Sequence, residues 1–153
     1  MLFTRASEYA LLSIALIGES GEPKDVDTLS KQLNISKSFL AKILQGLARK
    51  GILVSYKGAK GGFALSRPYD QISILEVIKA AEGKPPSVFE CSPSKSSCPN
   101  DQAGSCVIWP FLNRLQGEID GFLKKLTLRD ILMPERENCH SQMKSQTIEQ
   151  EQK

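Results

Sequence analysis

The chain has 153 residues, with 20 Lys and Arg against 17 Asp and Glu, four Cys and a single His. This length supports one domain with a core, or a small domain with an appendage, and no apolar run approaches the eighteen residues of a membrane span. The apolar N-terminal run is broken by Arg5, Glu8 and several serines, unlike a signal peptide, so a cytoplasmic protein is expected, in which a structural disulfide is disfavoured.

From Thr4, a plausible N-cap, to about Gly18, apolar positions Tyr9, Leu12, Leu16 and Ile17, with Ser13, recur at helical spacing. After a turn at Gly21-Glu22-Pro23, a short helix carries Val26, Leu29 and Leu33 on one stripe, and Asn34 suits its exit. Ser36 can cap a third helix whose Phe39, Leu40, Ile43, Leu44 and Leu47 face inward. Its outward face then carries Lys37, Ser38, Ala41, Lys42 and Gln45, and Gly51 supplies the stop.

Two short strands, "ILVSYK" and "FALS", follow, joined by the glycine-rich tip "GAKGG". This tip is not a nucleotide-binding loop, because the chain continues from it as a strand rather than opening a helix at Lys-Ser/Thr. Helix, short helix, turn, helix and two-stranded hairpin is the order of a winged helix-turn-helix, in which the third helix enters the major groove and the hairpin reaches the backbone or minor groove. The charge agrees. Between Thr28 and Tyr69 lie eight basic residues (Lys31, Lys37, Lys42, Arg49, Lys50, Lys57, Lys60 and Arg67), while all 17 acidic residues fall elsewhere. Such a block suits a surface that meets a polyanion. Double-stranded DNA is the expected partner, with Lys37, Ser38, Ala41, Lys42 and Gln45 on the reading helix and Lys57, Lys60 and Gly61 at the wing.

Beyond the wing, Ser73 and Glu76 form a capping box, Ile72 and Val77 a hydrophobic staple, and Gly83 ends the helix. The stretch "CSPSKSSCPNDQAGSC" then places Cys91, Cys98 and Cys106 among Ser, Pro, Asn and Gly, where packing is a poor reason for a thiol. A disulfide, a metal or cluster site, and a redox switch are the candidates. From about Val107 a long helix sets Ile108, Leu112, Leu115, Ile119, Phe122 and Leu126 at alternating spacings of four and three, a heptad seam. A second copy of the chain is the simplest surface to bury it, and a twofold dimer matches palindromic DNA; packing on the chain's own N-terminal domain is the alternative. "TLRDIL" adds a short capped helix, and the polar tail from Pro134, containing Cys139 and His140, is expected to be disordered. With its one histidine in that tail, no nucleophile and base pair emerges, so an enzyme is not expected.

This ordering, together with "EYALLSIALIG", "LSKQLNISKSFLAKIL", "ARKGILVSYKGAKGGFALSRP", the cysteine trio and "TLRDIL", resembles the IscR/NsrR-type (Rrf-two) family of bacterial winged-helix transcription regulators over about residues 1–132. The resemblance implies a mainly α fold with a small β-hairpin: a DNA-binding domain over 1–82, a cluster loop over 83–106, a dimerisation helix and short capping helix over 107–132, and a tail over 133–153. It further implies a homodimer, acting as a repressor, whose operator affinity follows an iron-sulfur cluster of two or four irons, sensing redox state, nitric oxide or iron-sulfur status. Cys91, Cys98 and Cys106 would hold the cluster. Some members complete the site with a histidine three residues after the third cysteine, where this chain has Trp109; others use an acid near the start of the first helix, here Glu8, donated by the other subunit. The alternative is a cluster-free regulator in which the cysteines form a thiol switch or a zinc site.

Overall fold

Short polar side chains start the helices of the N-terminal half, and residues able to take a left-handed backbone end several of them. In the computed structural model, which describes residues 3–133, α1 spans Arg5–Ser20, α2 Val26–Leu33 and α3 Lys37–Arg49. Thr4, Asp25 and Ser36 each accept a hydrogen bond from a first-turn backbone N–H of their helix, offsetting donors that the helix itself leaves unpaired. Asn34 ends α2 at φ 53°. Helix α1 runs past the expected stop at Gly18 because Gly21, at φ 66°, takes the left-handed cap. Gly18 serves packing instead, since a Cβ there would stand 2.9 Å from Leu132 Cδ1.

Strands β1 (Leu53–Tyr56) and β2 (Gly62–Leu65) pair antiparallel, with Leu53 opposite Leu65 and Tyr56 opposite Gly62. The second strand of this wing is stitched to the turn before α2: Lys24 N donates to Phe63 O at 3.0 Å and Phe63 N to Lys24 O at 2.8 Å. Gly62, at φ 148°, lies so close to Lys24 that an added Cβ would be 2.5 Å from its carbonyl, so only glycine fits.

Helix α4 (Ile74–Glu82) carries the expected capping box, and Ile72 and Val77 are fully buried. A loop containing a 3₁₀ turn at Lys95–Ser97 leads to α5 (Trp109–Lys125), which holds Pro110 in its first turn, and α6 (Leu128–Leu132) follows. The main core joins Ala10, Ile14 and Ile17 of α1, Leu29 of α2, Leu40, Ile43, Leu44 and Leu47 of α3, the strand residues Leu53 and Phe63, Val77 of α4 and Leu128 of α6. A second cluster joins Ile74, Leu75 and Ile78 of α4 to Leu123 of α5, with Leu11, Ile119 and Leu126 against it.

Two readings of the sequence are corrected here. On α1 the buried line is Ser7, Ala10, Ser13, Ile14 and Ile17, and Leu12 is exposed, because the small residues let α3 and α4 approach closely. Phe39 of α3 is also exposed rather than inward; it meets Tyr9 edge-on, with ring centroids 6.0 Å apart, at the margin of the core.

The junction between α5 and α6 is bridged to the start of α4: Ile74 N donates to Leu126 O and Leu128 N to Ile72 O, both at 2.9 Å. Hydrogen bonds of this kind contribute about 1 kcal/mol each, whereas each large apolar side chain of the second cluster contributes roughly 1.5–3 kcal/mol. Burial therefore holds α5 on the domain, and the bridge sets its register.

At the other end of α4, one oxygen of Glu82 accepts from Thr4 N at 2.9 Å, Thr4 Oγ1 at 2.7 Å and Ser7 Oγ at 2.5 Å. Burial pushes this carboxyl up, but the hydrogen bonds from Ser7 and Thr4 outweigh burial and hold it below its ordinary 4.5. A depressed folded-state value contributes stability above the unfolded value that is lost as pH falls through the folded one. Glu82→Gln is expected to lower stability at neutral pH by about 1–2 kcal/mol and to flatten the acid limb of the stability curve below pH 4.5; urea titrations of both proteins across that range check this.

Candidate DNA interface and cysteine loop

The outward side of α3 carries Lys37, Ser38, Lys42 and Gln45 exposed and Ala41 half-buried, while Leu40, Ile43, Leu44 and Leu47 anchor the opposite side. Lys57 and Lys60 are exposed at the wing tip. Gly61 closes that tip by donating its N–H to Gly58 O at 2.9 Å, and a Cβ there would stand 2.7 Å from Tyr56 O. Its role is therefore to shape the tip that presents the two lysines.

Tertiary structure redistributes the basic block. Asp27, one residue outside it, pairs with Lys31 at 2.6 Å and Lys37 at 3.4 Å. Lys31 first, then Lys37, holds the Asp27 carboxyl below its usual range. Arg67 is a structural tie: it donates to Gly51 O at 3.1 Å, to Gln71 O at 3.0 Å and to Glu76 Oε1 at 2.7 Å, joining the end of α3, the wing's exit and the start of α4. Lys42, Arg49, Lys50, Lys57 and Lys60 make no ion pair among the described residues. An i, i+4 Asp-Lys pair is readable in sequence, but Lys37 reaching Asp27 across the α2–α3 turn is not.

Cys91, Cys98 and Cys106 are free thiols, each half-buried. The loop that carries them is fastened to α5. Gln116, 4% exposed, accepts from Val88 N at 2.9 Å and from Ser92 Oγ at 2.7 Å, and donates to Pro86 O and Asp120 Oδ1, both at 2.9 Å. Asn113 adds a bond to Ser92 O at 2.9 Å. Trp109 donates its indole N–H to Cys91 O at 3.1 Å, with the Lys95 ammonium 5.4 Å from its ring centroid. Periodicity did not single out Gln116; the available signal was a glutamine on the line of Leu112, Ile119, Leu123 and Leu126.

The donor chemistry of three thiols suits iron or an iron-sulfur cluster, but their placement does not form a cage. Among the described residues no three His, Cys, Asp or Glu side chains converge as a group that could hold a metal ion. Glu8 is exposed in the first turn of α1 and joins no such group. Cys139 and His140 lie outside the described residues.

The seam of α5 divides. Leu112 is buried, and Ile119 and Leu126 pack toward α4 beside Leu123. Ile108, Phe111 and Phe122 are 60%, 64% and 62% exposed, with Leu115 half-buried between them. The reason is geometric: a stripe that spans both faces of a helix cannot be covered by a single neighbour, and α4 covers one side.

Three helices, a reading face, a wing and an appended long helix define a winged-helix transcriptional regulator. The chain belongs to the Rrf2 family, described as iron-dependent transcriptional regulators, whose model matches residues 3–134. It is 31% identical over 124 residues to the HTH-type transcriptional regulator IscR of Cronobacter sakazakii, covering 80% of this chain and 73% of that one. Its fold is similar to that of CymR, the global cysteine regulator of B. subtilis, with a TM-score of 0.65 and 21% identity over 86% of this chain and 96% of that one. IscR of T. potens gives a TM-score of 0.66 at 19% identity, covering 86% of each chain. The family and these relatives are regulators rather than enzymes. Among the described residues no helix is long and apolar enough to cross a membrane.

The Gln116 anchor yields a direct test. Gln116→Ala leaves Val88 N, Ser92 Oγ and Pro86 O without their partner, and is expected to cost about 2–3 kcal/mol and to raise amide exchange at residues 86–92 ahead of α3. Hydrogen exchange read by mass spectrometry checks both the size and the localisation.

Proposed function

We propose that the chain acts in the cytoplasm as a homodimeric repressor that reads a twofold DNA operator with α3 and the wing, and that the chemical state of the Cys91–Cys98–Cys106 loop sets its affinity. The observation that carries the DNA reading is one surface: Ser38, Lys42 and Gln45 exposed on α3, flanked by Lys57 and Lys60 on the wing, with no ion pair on any of the three lysines among the described residues. Compact polar groups reach base edges there, and the lysines meet phosphates. The homodimer is supported by the apolar stripe of Ile108, Phe111, Leu115 and Phe122, which one chain leaves open.

For the sensor, the three thiols and the iron-dependent family favour an iron-sulfur cluster, which when bound supplies iron reactive toward oxygen and nitric oxide. Cys91, Cys98 and Cys106 would hold it, with Glu8 of a second copy as the fourth donor. Because the thiols do not converge in the loop as it stands, holding any common ligand requires the loop to change shape. Ser92 transmits that change to Gln116 and hence to α5, which packs on α4; α4 in turn holds the wing's exit through Glu76 and Arg67 and the start of α1 through Glu82. The three free, half-buried thiols also support a second reading, in which two of them form a reversible disulfide. Zinc binding by the trio is a third outcome of the same assay.

Lys42→Ala and Gln45→Ala are expected to reduce discrimination between operator and unrelated DNA, whereas Lys60→Ala weakens both roughly equally and lowers the salt slope by about 1. Binding isotherms over a salt series check this, and unchanged affinity in all three variants would overturn the interface. Protein purified without oxygen is expected to contain iron and sulfide and to absorb in the visible. Replacing Cys91, Cys98 or Cys106 by Ala should abolish most of that, while Cys139→Ala changes neither. Iron-free protein whose operator affinity responds to a dithiol reductant would instead establish the disulfide reading, and one zinc per chain the zinc site.

A further inference from the structure

The DNA surface gives a reason for the lysines of the acid-free block, but three lysines from outside it gather with Lys50 around α4. Along the exposed face of α4 lie two adjoining cavities, of about 340 and 360 Å3, which share Glu76 and Lys79 in their walls. They meet at these two side chains as a shallow groove open to solvent: Lys50 from the end of α3, Lys79 from α4 and Lys84 from the root of the cysteine loop line one half, and Lys79 with Lys124 from the end of α5 lines the other. Lys79, Lys84 and Lys124 all lie outside the acid-free block. Ile52, Ala80, Pro85 and Leu75 supply the apolar part of the lining.

No ion pair among the described residues neutralises the lysines of this groove. All four lysines are exposed. Glu76 is the acidic residue in the walls, and its charge is already engaged: Oε1 accepts from Arg67 at 2.7 Å, and Oε2 accepts from Ser73 N and Oγ, both at 3.0 Å. Glu82 lies near enough to Lys84 to feel its charge, but its hydrogen bonds go to Thr4 and Ser7 at the start of α1. The concave form matters as much as the charge. A concave surface with an apolar lining and a few cationic groups around it is the usual form of a small-ligand site.

We infer that the groove between Lys50, Lys79, Lys84 and Lys124 binds a small organic anion that carries at least two phosphate or carboxylate groups. Two anionic groups are required because the lysines enter from four different elements, and one such group cannot meet them all. Occupancy ties the end of the reading helix to the root of the cysteine loop, giving the chain an effector input that is independent of its thiols.

The test uses the full chain, with pyrophosphate and citrate as probes for the two anion chemistries and sodium chloride at matched ionic strength as the control. Either probe is expected to raise the melting temperature saturably, on the order of 5 °C at about a hundredfold excess over its dissociation constant. Lys79→Gln and Lys84→Gln should each weaken calorimetric binding of that probe by about tenfold or more while the probe-free melting temperature stays at the parent value. A response to pyrophosphate alone assigns phosphate chemistry, and to citrate alone carboxylate chemistry. No saturable response to either, or an equal response in the parent and both variants, overturns the site. If the two variants instead weaken binding of a random-sequence duplex and flatten its salt dependence as Lys60→Ala does, the groove is a DNA track and the small-anion proposal fails.

Discussion

Helix α4 is buried on two sides, and both halves of the molecule depend on that double burial. Val77 faces the main core with α1 and α3, while Ile74, Leu75 and Ile78 face α5. A helix of nine residues therefore serves two cores at once, which is why it needs a firm start and a firm stop. The capping box of Ser73 and Glu76 fixes one end and Gly83 at φ 72° the other. Without α4 between them, α5 and the reading head would share little apolar surface, and the hydrogen bonds at the α5–α6 junction are too weak to replace it.

The two carboxylates of α4 extend this mechanical role to the functional surfaces. Glu76 faces Arg67, which also holds the carbonyl at the end of α3, so the exit of the wing and the end of the reading helix share one ionic tie. Glu82 holds the start of α1, the helix that carries Glu8. In the same chain the cysteine loop is fastened to α5 by Gln116, whose four hydrogen bonds are all made inside the protein. A buried amide with every valence satisfied is specific about geometry, because any shift of the loop leaves a polar group unpaired. Loop, long helix, α4 and reading head thus form a continuous physical chain in which each link is a named contact.

Electrostatics divides the surface more finely than net charge does. Of the eight basic residues in the acid-free block, Lys31 and Lys37 meet Asp27, and Arg67 is absorbed into the fold. Lys42, Lys57 and Lys60 stay available on the reading helix and wing. Lys50, at the end of α3, also lines the groove on α4.

By itself the sequence determined the elements and their order, because those depend on neighbours a few residues away. Thr4, Ser36 and Ser73 name helix starts, Asn34 and Gly83 two of the stops, and the glycine-rich tip between two apolar runs names the wing. The winged-helix order, the exposed side of α3 and the exceptional placing of Cys91, Cys98 and Cys106 were legible for the same reason. Only the tertiary structure decided which side of α1 is buried, that Phe39 stays at the margin, that the α5 stripe is split between α4 and an open face, and that Gln116 rather than an apolar residue anchors the cysteine loop. It also decided that Asp27 and Glu76 answer basic residues of an apparently acid-free block, and that four lysines from four elements meet around one groove. Local pattern fixes what a segment becomes, but which charges and faces meet depends on how segments distant in the chain pack, and periodicity within one segment carries no information about its neighbour.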